Sequence, residues 1–477
     1  MGTARWVMRT ELRRLLRAPT WALLMALFAV LVATGAWRGA ATAGAHQQAV
    51  DAVVSASTTL REQRRQALAD AVRENRPAPR AAWLPYAQVH HIGLPSLRYT
   101  ALAAGPLNGV DTLARIAPIA DTHALFDEYA GATAHPQALQ AGVFDLAFVL
   151  VMLLPLFVLA TAFDGWTGER EALRAATLTA LCGSARPLLF GKLLAQGLLV
   201  VLPMALMATA ALVAAAAALP AGPSAPGWSS AAPLTVFVLA LTWGLLWLAT
   251  AAVINTFARR AATAAVASGL AWLVVTVALP ALTSAVLAWQ VPAPSRAALT
   301  VSLREALVDA QRRGDEVIAS FMNRHPTAAA ELENLSGQAR RYYAVQLAAD
   351  EAVAPVMAEF RARQAARLAL ADTLRVVSPA VALRDALERA AGSDLGRAWA
   401  FRDQAYAHLD ALRAFVTPYL LTDRRLAPDD YARMPTFRFV EPPPAWRAQM
   451  LNVAALGVPA LLLLALVYRR AAHLGTD

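Results

Sequence analysis

Lysine and cysteine are almost missing from this chain. Of 43 lysine and arginine residues only Lys192 is a lysine, and Cys182 is the one cysteine in 477 residues. A single cysteine excludes an intrachain disulfide and a cysteine cage around a metal. Any part outside a membrane is therefore held by packing alone. Charge is scarce too: 16% of residues are charged against 58% hydrophobic, with mean hydropathy +0.44. That balance is too apolar for an ordinary soluble protein and places the chain in a bilayer. Arginine in place of lysine, with abundant alanine, reads as compositional bias and carries no chemistry. The formal charge of +10 does not point to nucleic acid, because the basic residues are spread along the chain without a cluster interleaved with aromatics. Anionic lipid, or plain composition, accounts for the charge instead.

Signatures of catalysis are missing as well. G-x-S-x-G, H-E-x-x-H and G-x-G-x-x-G do not occur, which leaves hydrolase, metalloprotease and dinucleotide readings without support. Gly191-Lys192 suggests a phosphate-binding loop, but that motif needs a second glycine where Arg186 stands and a hydroxyl residue where Leu193 stands. His90 and His91 are adjacent, so they point to different faces, and spacing offers no third ligand. His46, His123, His135, His325, His408 and His473 are scattered. No metal, no cofactor and no enzymatic activity is expected of this chain. Within the apolar runs the one ionisable residue is Asp145, placed to start a helix at the interface. Proton- or ion-coupled carriers need charge at mid-depth, so a secondary carrier is disfavoured and energy must come from elsewhere.

A helix rises about 1.5 Å per residue, so about 20 apolar residues cross the hydrocarbon core. Six segments qualify: 21–37, 143–163, 193–219, 234–257, 263–287 and 449–468. Trp21, Trp37, Trp289 and Trp446 flank them as interfacial anchors do. The expected fold is an all-α polytopic membrane protein with six transmembrane helices. Orientation follows from the basic residues near the span ends. Arg5, Arg9, Arg13, Arg14 and Arg17 precede the first span; Arg170, Arg174, Arg186 and Lys192 lie between the second and third. Arg259 and Arg260 fill the turn between the fourth and fifth, and Arg469 and Arg470 follow the sixth. The opposite loop, 220–233, has no charge. Both termini, including the tail 469–477, are therefore expected in the cytoplasm, with the protein in a bacterial inner membrane. Ala43 and Ala45 form an A-x-A sequence that would suit signal cleavage, but the long preceding segment with Glu11 favours an uncleaved anchor.

That topology leaves residues 38–142 and 288–448 outside, as a large, mainly helical extracytoplasmic domain built from two insertions. Residues 47–76 have helical character and prolong the first span. Beyond them Pro77, Pro79, Pro85, Pro95 and Pro106 interrupt the chain around Trp83 and Tyr86. In the second piece Val301, Leu303, Leu307 and Val308, then Val317, Ile318, Phe321 and Met322, recur at helical spacing. Further helices are expected over 328–370 and 395–419, and Pro442 to Pro444 stiffen the approach to the last span.

The loop 164–192 reads DGWTGEREALRAATLTALCGSARPLLFGK. Its composition alone describes an amphipathic helix on the inner membrane surface, with a turn at Gly183 and Pro187. It also resembles the corresponding loop of type-2 ABC transporter permeases, which has a glutamate-arginine run, a threonine-leucine pair, a basic residue and a glycine-lysine opening the next span. Glu169, Arg170 and Glu171, Thr177 with Leu178, Arg186, and Gly191 with Lys192 follow that order. Ala175 and Ala176 stand where the family has a glycine before threonine. Residues 1–20, with Trp6, Leu12, Leu15 and Leu16 for the lipid side, resemble the elbow helix of that family. Ser378-Pro379, Gly392 to Asp394 and Pro435 to Phe439 resemble motifs of a subgroup with a large extracytoplasmic domain, related to permeases of multicopper-enzyme maturation.

The resemblance implies a permease subunit without an ATP site, working with separate ABC ATPase subunits that bind ATP and magnesium. A second permease copy or a sister permease would complete it, and the outer domain would reach a periplasmic or outer-membrane partner. Glu169, Arg170, Glu171, Arg174, Thr177, Leu178 and Arg186 would couple to the ATPase. Arg13, Arg14, Lys192, Arg259 and Arg260 would anchor the inner interface, Lys192 by reaching lipid phosphates, a role that Lys192→Arg would largely keep. The alternative from another class is an ATPase-independent membrane receptor or scaffold.

Overall fold

The computed structural model describes residues 2–77, 89–109, 111–118, 125, 126, 129, 144–219, 228–292, 299–305, 308, 309, 323, 337–421, 426–472 and 474. Pro79, Trp83, Pro85, Tyr86, Leu307, Val317, Ile318, Phe321, Met322, His123, His135, His325 and His473, named above from the sequence, lie outside the described residues.

Helix α1 (Gly2–Arg17) turns Val7, Glu11 and Leu15 inward at a spacing of four, while Trp6 and Leu16 stay exposed. Leu15 thus faces protein instead of lipid, a correction to the lipid-side set read from the sequence. The break after α1 comes from Pro19, which pushes Ala18 into extended backbone and opens helix α2 (Pro19–Arg73). At 55 residues, α2 is roughly 80 Å long, far more than a bilayer core of about 30 Å. The first span and the helix expected over 47–76 are therefore one continuous rod.

Five more helices are long and apolar enough to cross a membrane, giving six among the described residues. Helix α3 passes through Leu146–Phe148, Val149–Leu153 and Leu154–Ala162. Two short helices follow, α4 (Thr167–Glu171) and α5 (Ala175–Cys182). The other spans are α6 (Ala185–Ala218), α7 (Trp228–Phe257), α8 (Ala261–Gln290) and, after the outer layer, the last helix of the chain, Trp446–Arg470. Three of them contain a π turn: Val149–Leu153, Gly197–Val201 and Val274–Ala278. Each stands directly before a Leu-Pro pair, at Pro155, Pro203 and Pro280. A mid-helix proline offers no N–H and its ring strikes the carbonyl four residues back, and a locally wider turn relieves both. Asp145 starts α3 as expected, its Oδ1 accepting from the Phe148 amide at 2.9 Å.

The outer layer is made of both inserted pieces. Strands β1 (His90–Gly93) and β2 (Leu113–Ile116) pair antiparallel, His90 opposite Ile116. From the second piece come α9 (Gly337–Leu374), α10 (Pro379–Ala391), α11 (Leu395–Leu421) and α12 (Pro428–Arg433), and the span Trp446–Arg470 is α13. Leu68 of α2, Ile92, Ile116 and Phe126 share one core with Phe401, Leu409, Leu412 and Tyr431. The two pieces thus bury their apolar faces against each other.

Helix α10 belongs to both layers. Leu383, Ala386, Leu387 and Ala390 enter the same apolar cluster as Phe28, Phe157, Trp243, Trp247 and Leu456 of the spans. Asn452 of α13 donates to Asp385 at 2.7 Å, and Thr100 donates to the Ala391 carbonyl at 3.1 Å. Gly392 ends α10 with φ +69°, and a Cβ there would stand 2.2 Å from Leu97 Cδ1; the position demands glycine on both counts. Asp394 then caps α11 through the Arg397 amide at 3.2 Å. Arg397 closes the joint, donating to both oxygens of Glu441 at 2.8 and 2.7 Å, to Gly392 O at 3.1 Å and to Pro95 O at 2.8 Å. The Gly-Ser-Asp motif is thus the corner between α10 and α11. Of the Pro-x-Phe-x-Phe motif, Phe437 and Phe439 pack on Phe401.

Candidate functional site

At one end of the spans the chain from α3 to α6 is sewn to its neighbours by buried polar groups. Asn255, near the C-terminus of α7, is 2% exposed. Its Oδ1 accepts from the Trp166 and Thr167 amides at 3.1 and 3.2 Å and from Thr167 Oγ1 at 3.1 Å. Its Nδ2 donates to Ala162 O and Ala251 O at 3.0 and 2.9 Å. Every hydrogen-bonding capacity of the amide is used, so the bend after α3 is fixed to α7.

Glu169 is the electrostatic centre. Its side chain is 9% exposed, and that of Lys192 on α6 is 8% exposed. Lys192 Nζ lies 2.7 Å from Glu169 Oε1 and donates to Gly165 O at 2.8 Å. Arg174 Nε stands 3.0 Å from Oε2. From α1, Arg14 Nη1 is 3.7 Å from Oε1 and 3.5 Å from Glu11. Three cations from three elements thus converge on one buried carboxylate. The lone lysine is engaged inside the protein instead of at lipid phosphates, because α4 brings Glu169 within its reach. Gly191 beside it serves another contact: a Cβ there would lie 2.8 Å from Ala4 O and Val7 Cβ. The glycine lets α1 cross α6 at close range while the lysine, about 100° round the helix, turns to Glu169.

Arg170 Nη1 donates to Ala258 O at 3.2 Å, and its guanidinium lies 5.9 Å from the Trp166 ring centroid. Glu171 accepts from the Ala261 amide at 3.0 Å, supplying the acceptor and negative charge that the N-terminus of α8 calls for. Arg186 stacks on Tyr468 of α13, 4.3 Å from the ring centroid, and donates to its carbonyl at 3.3 Å. Arg13, Arg259 and Arg260 are exposed at this end.

From this base α5 protrudes. None of its residues is buried. Leu173 before it takes φ +55° and is 87% exposed, Leu181 is 75% exposed, and Thr177 is exposed. Leu178 and Cys182 pack back on the buried cluster that includes Val7, Trp166 and Leu188. A leucine in left-handed backbone costs about 1–2 kcal/mol, and such strain persists only where the surroundings over-determine it. The seven residues expected to act on a partner therefore divide. Glu169, Arg170, Glu171 and Arg186 hold the loop to the spans, Arg174 links both parts, Leu178 is half-buried, and Thr177 faces outward. Sequence reading missed Asn255, whose signal is an amide in an otherwise apolar span just before the Arg259-Arg260 turn. It also missed the leucines Leu173 and Leu181 as the exposed apolar surface. Among the described residues, this arrangement joins an exposed helix to a rigid base and can pass force between them.

Residues 296–440 match a domain of unknown function, DUF3526. The match takes in α9 to α12 and so the corner at Gly392, and one of its helices, α10, is packed among the spans. No curated protein matches the chain.

Proposed function

We propose that this chain is the membrane-spanning subunit of an ABC transporter of the type-2 class, moved by a separate ATPase that grips α5 from the cytoplasm. The observation that carries this reading is the contrast within one loop. Leu173, Thr177 and Leu181 are offered to solvent, while Glu169, Arg170, Glu171 and Asn255 tie the loop's base to α6, α7 and α8. A push on α5 is then delivered to three spans at once, and through Arg14 to α1. Both termini and the α4–α5 loop lie in the cytoplasm by the distribution of arginines. The outer layer is extracytoplasmic, where α10, wedged against α7 and α13, carries motion of the spans into the large domain. Conformational work is drawn from differential binding of the ATPase to two states of the bundle. The order of the motifs in the loop supports the family, and the buried Glu169–Lys192 pair supports its mechanical role.

The test is co-purification from native membranes. An ATPase retained in detergent by the natural chain and lost in Leu181→Glu supports the proposal. Equal recovery with both chains, or no ATPase with either, removes it, and the second outcome favours the receptor or scaffold reading.

A further inference from the structure

A cavity of about 760 Å³ lies between α9, α11, residues 299–304 and the end of α8. That is the size of a pocket for a small organic ligand, but its shape is long: it follows α9 from Met357 to Ala371, roughly 21 Å of helix rise. Leu287, Met357, Phe360, Leu368 and Trp399 give it apolar walls. Arg304, Arg367 and Arg402 also line it, against Asp111 as the one acid among the lining residues. Arg367 donates to Val291 O at 2.7 Å and Arg402 to Asp111 at 2.8 Å. Arg402 Nε is buried and has no acceptor among the described residues. A slot with apolar walls and a surplus of guanidinium groups calls for an elongated apolar molecule with an acidic end.

Its position says where such a molecule comes from. Leu287 is in the last turn of α8, the span with the smallest buried share, and Trp289 just beyond is 82% exposed. The cavity therefore reaches the end of the span with the smallest buried share, where that helix would leave the hydrocarbon with tryptophan at the headgroup level. We propose that this cavity receives the acyl chain of an anionic lipid from the adjoining leaflet, with the arginines holding its acidic headgroup. The inference is independent of any ATPase. It makes the outer layer a lipid-binding module seated on the bilayer.

The full chain would be reconstituted in vesicles of phosphatidylcholine and phosphatidylglycerol carrying traces of either lipid with a photoactivatable acyl chain. After illumination, the labelled peptides would be mapped. Adducts are expected on α9 and α11 around Phe360 and Trp399, with the anionic lipid favoured at least about fivefold, since one arginine near a membrane surface is worth about that factor. Gln364→Trp, on the cavity wall of an otherwise half-exposed helix, should remove these adducts without lowering the melting temperature. Arg304→Gln, at an exposed position, should cut the anionic preference and spare total labelling. Adducts confined to the outer flank of α8, equal labelling by both lipids, or labelling unchanged in Gln364→Trp would overturn the proposal.

Discussion

Glu169→Gln removes the charge from the centre of the loop and keeps its shape. Lys192 is then a buried ammonium with neutral acceptors alone, Gly165 O at 2.8 Å and the amide oxygen that replaces the carboxylate. Stripping one partner from a buried pair costs about 3–5 kcal/mol, since the remaining charge stays desolvated. Lys192→Met is the milder change. It leaves Glu169 with Arg174 at 3.0 Å and Arg14 at 3.7 Å, whose side chains are 64% and 55% exposed, so about half that loss, roughly 2 kcal/mol, is expected. The double variant leaves no unpaired buried charge and should lose less than Glu169→Gln alone. Thermal unfolding of the four proteins in one detergent gives the cycle, with the order natural, double and Lys192→Met together, then Glu169→Gln. Lys192→Arg belongs in the series: the larger head overfills the space between Gly165 and Glu169 and should cost about 1–3 kcal/mol, instead of being neutral as a lipid anchor would be. Additive losses in the double variant, or Glu169→Gln no worse than Lys192→Met, would refute the reasoning.

Other outcomes follow from single contacts. Gly191→Leu should separate α1 from α6, read as new protease cleavage within residues 2–17, while Gly197→Ala, in the same helix, should not. Gly392→Ala should destabilise the outer layer by about 1–3 kcal/mol from backbone strain alone, with more from the Leu97 contact, measured by unfolding. His90 and His408 have rings 5.7 Å apart, and burial pushes them down from 6.5 to about 3 and about 4. The unfolded chain takes up protons on both below pH 6.5 and the folded chain does not. Stability should therefore fall as pH drops from 6.5 toward 4, by up to about 1.4 kcal/mol per pH unit for each ring. Burial moves Glu388 the other way, up to about 7, so it lowers stability as pH rises from 4.5 to 7 and partly offsets the histidines. His408→Gln should flatten the acid slope by one ring's share, and an unchanged slope would contradict the assignment.

The six spans were legible because hydrocarbon thickness sets a length that composition either meets or fails. The same holds for α2: nothing between Trp37 and Arg73 breaks a helix, so the rod continues. The joint of α10 was not legible. Its Leu383, Ala386 and Leu387 read as one face of an amphipathic helix, and nothing in that face says whether it meets a soluble core or the ends of α7 and α13. Lys192 shows the limit at the site. A cation beside an apolar run is compatible with lipid phosphate by local rules alone, and only the fold of α4, which delivers Glu169 from 23 positions away, decides otherwise. Asn255 was hidden likewise, since its partner residues, Ala162, Trp166, Thr167 and Ala251, come from α3, the start of α4 and α7 itself. The prolines at 155, 203 and 280 were visible but silent until the backbone showed a π turn before each.

The most direct test places a photoactivatable amino acid at Thr177, on the exposed face of α5, in cells making the full chain and its natural neighbours. The account predicts an adduct with a nucleotide-hydrolysing subunit, formed on the cytoplasmic side and changing in yield when hydrolysis is trapped. Labelling of a Thr177→Cys, Cys182→Ser chain by an impermeant thiol reagent from outside intact spheroplasts would contradict it.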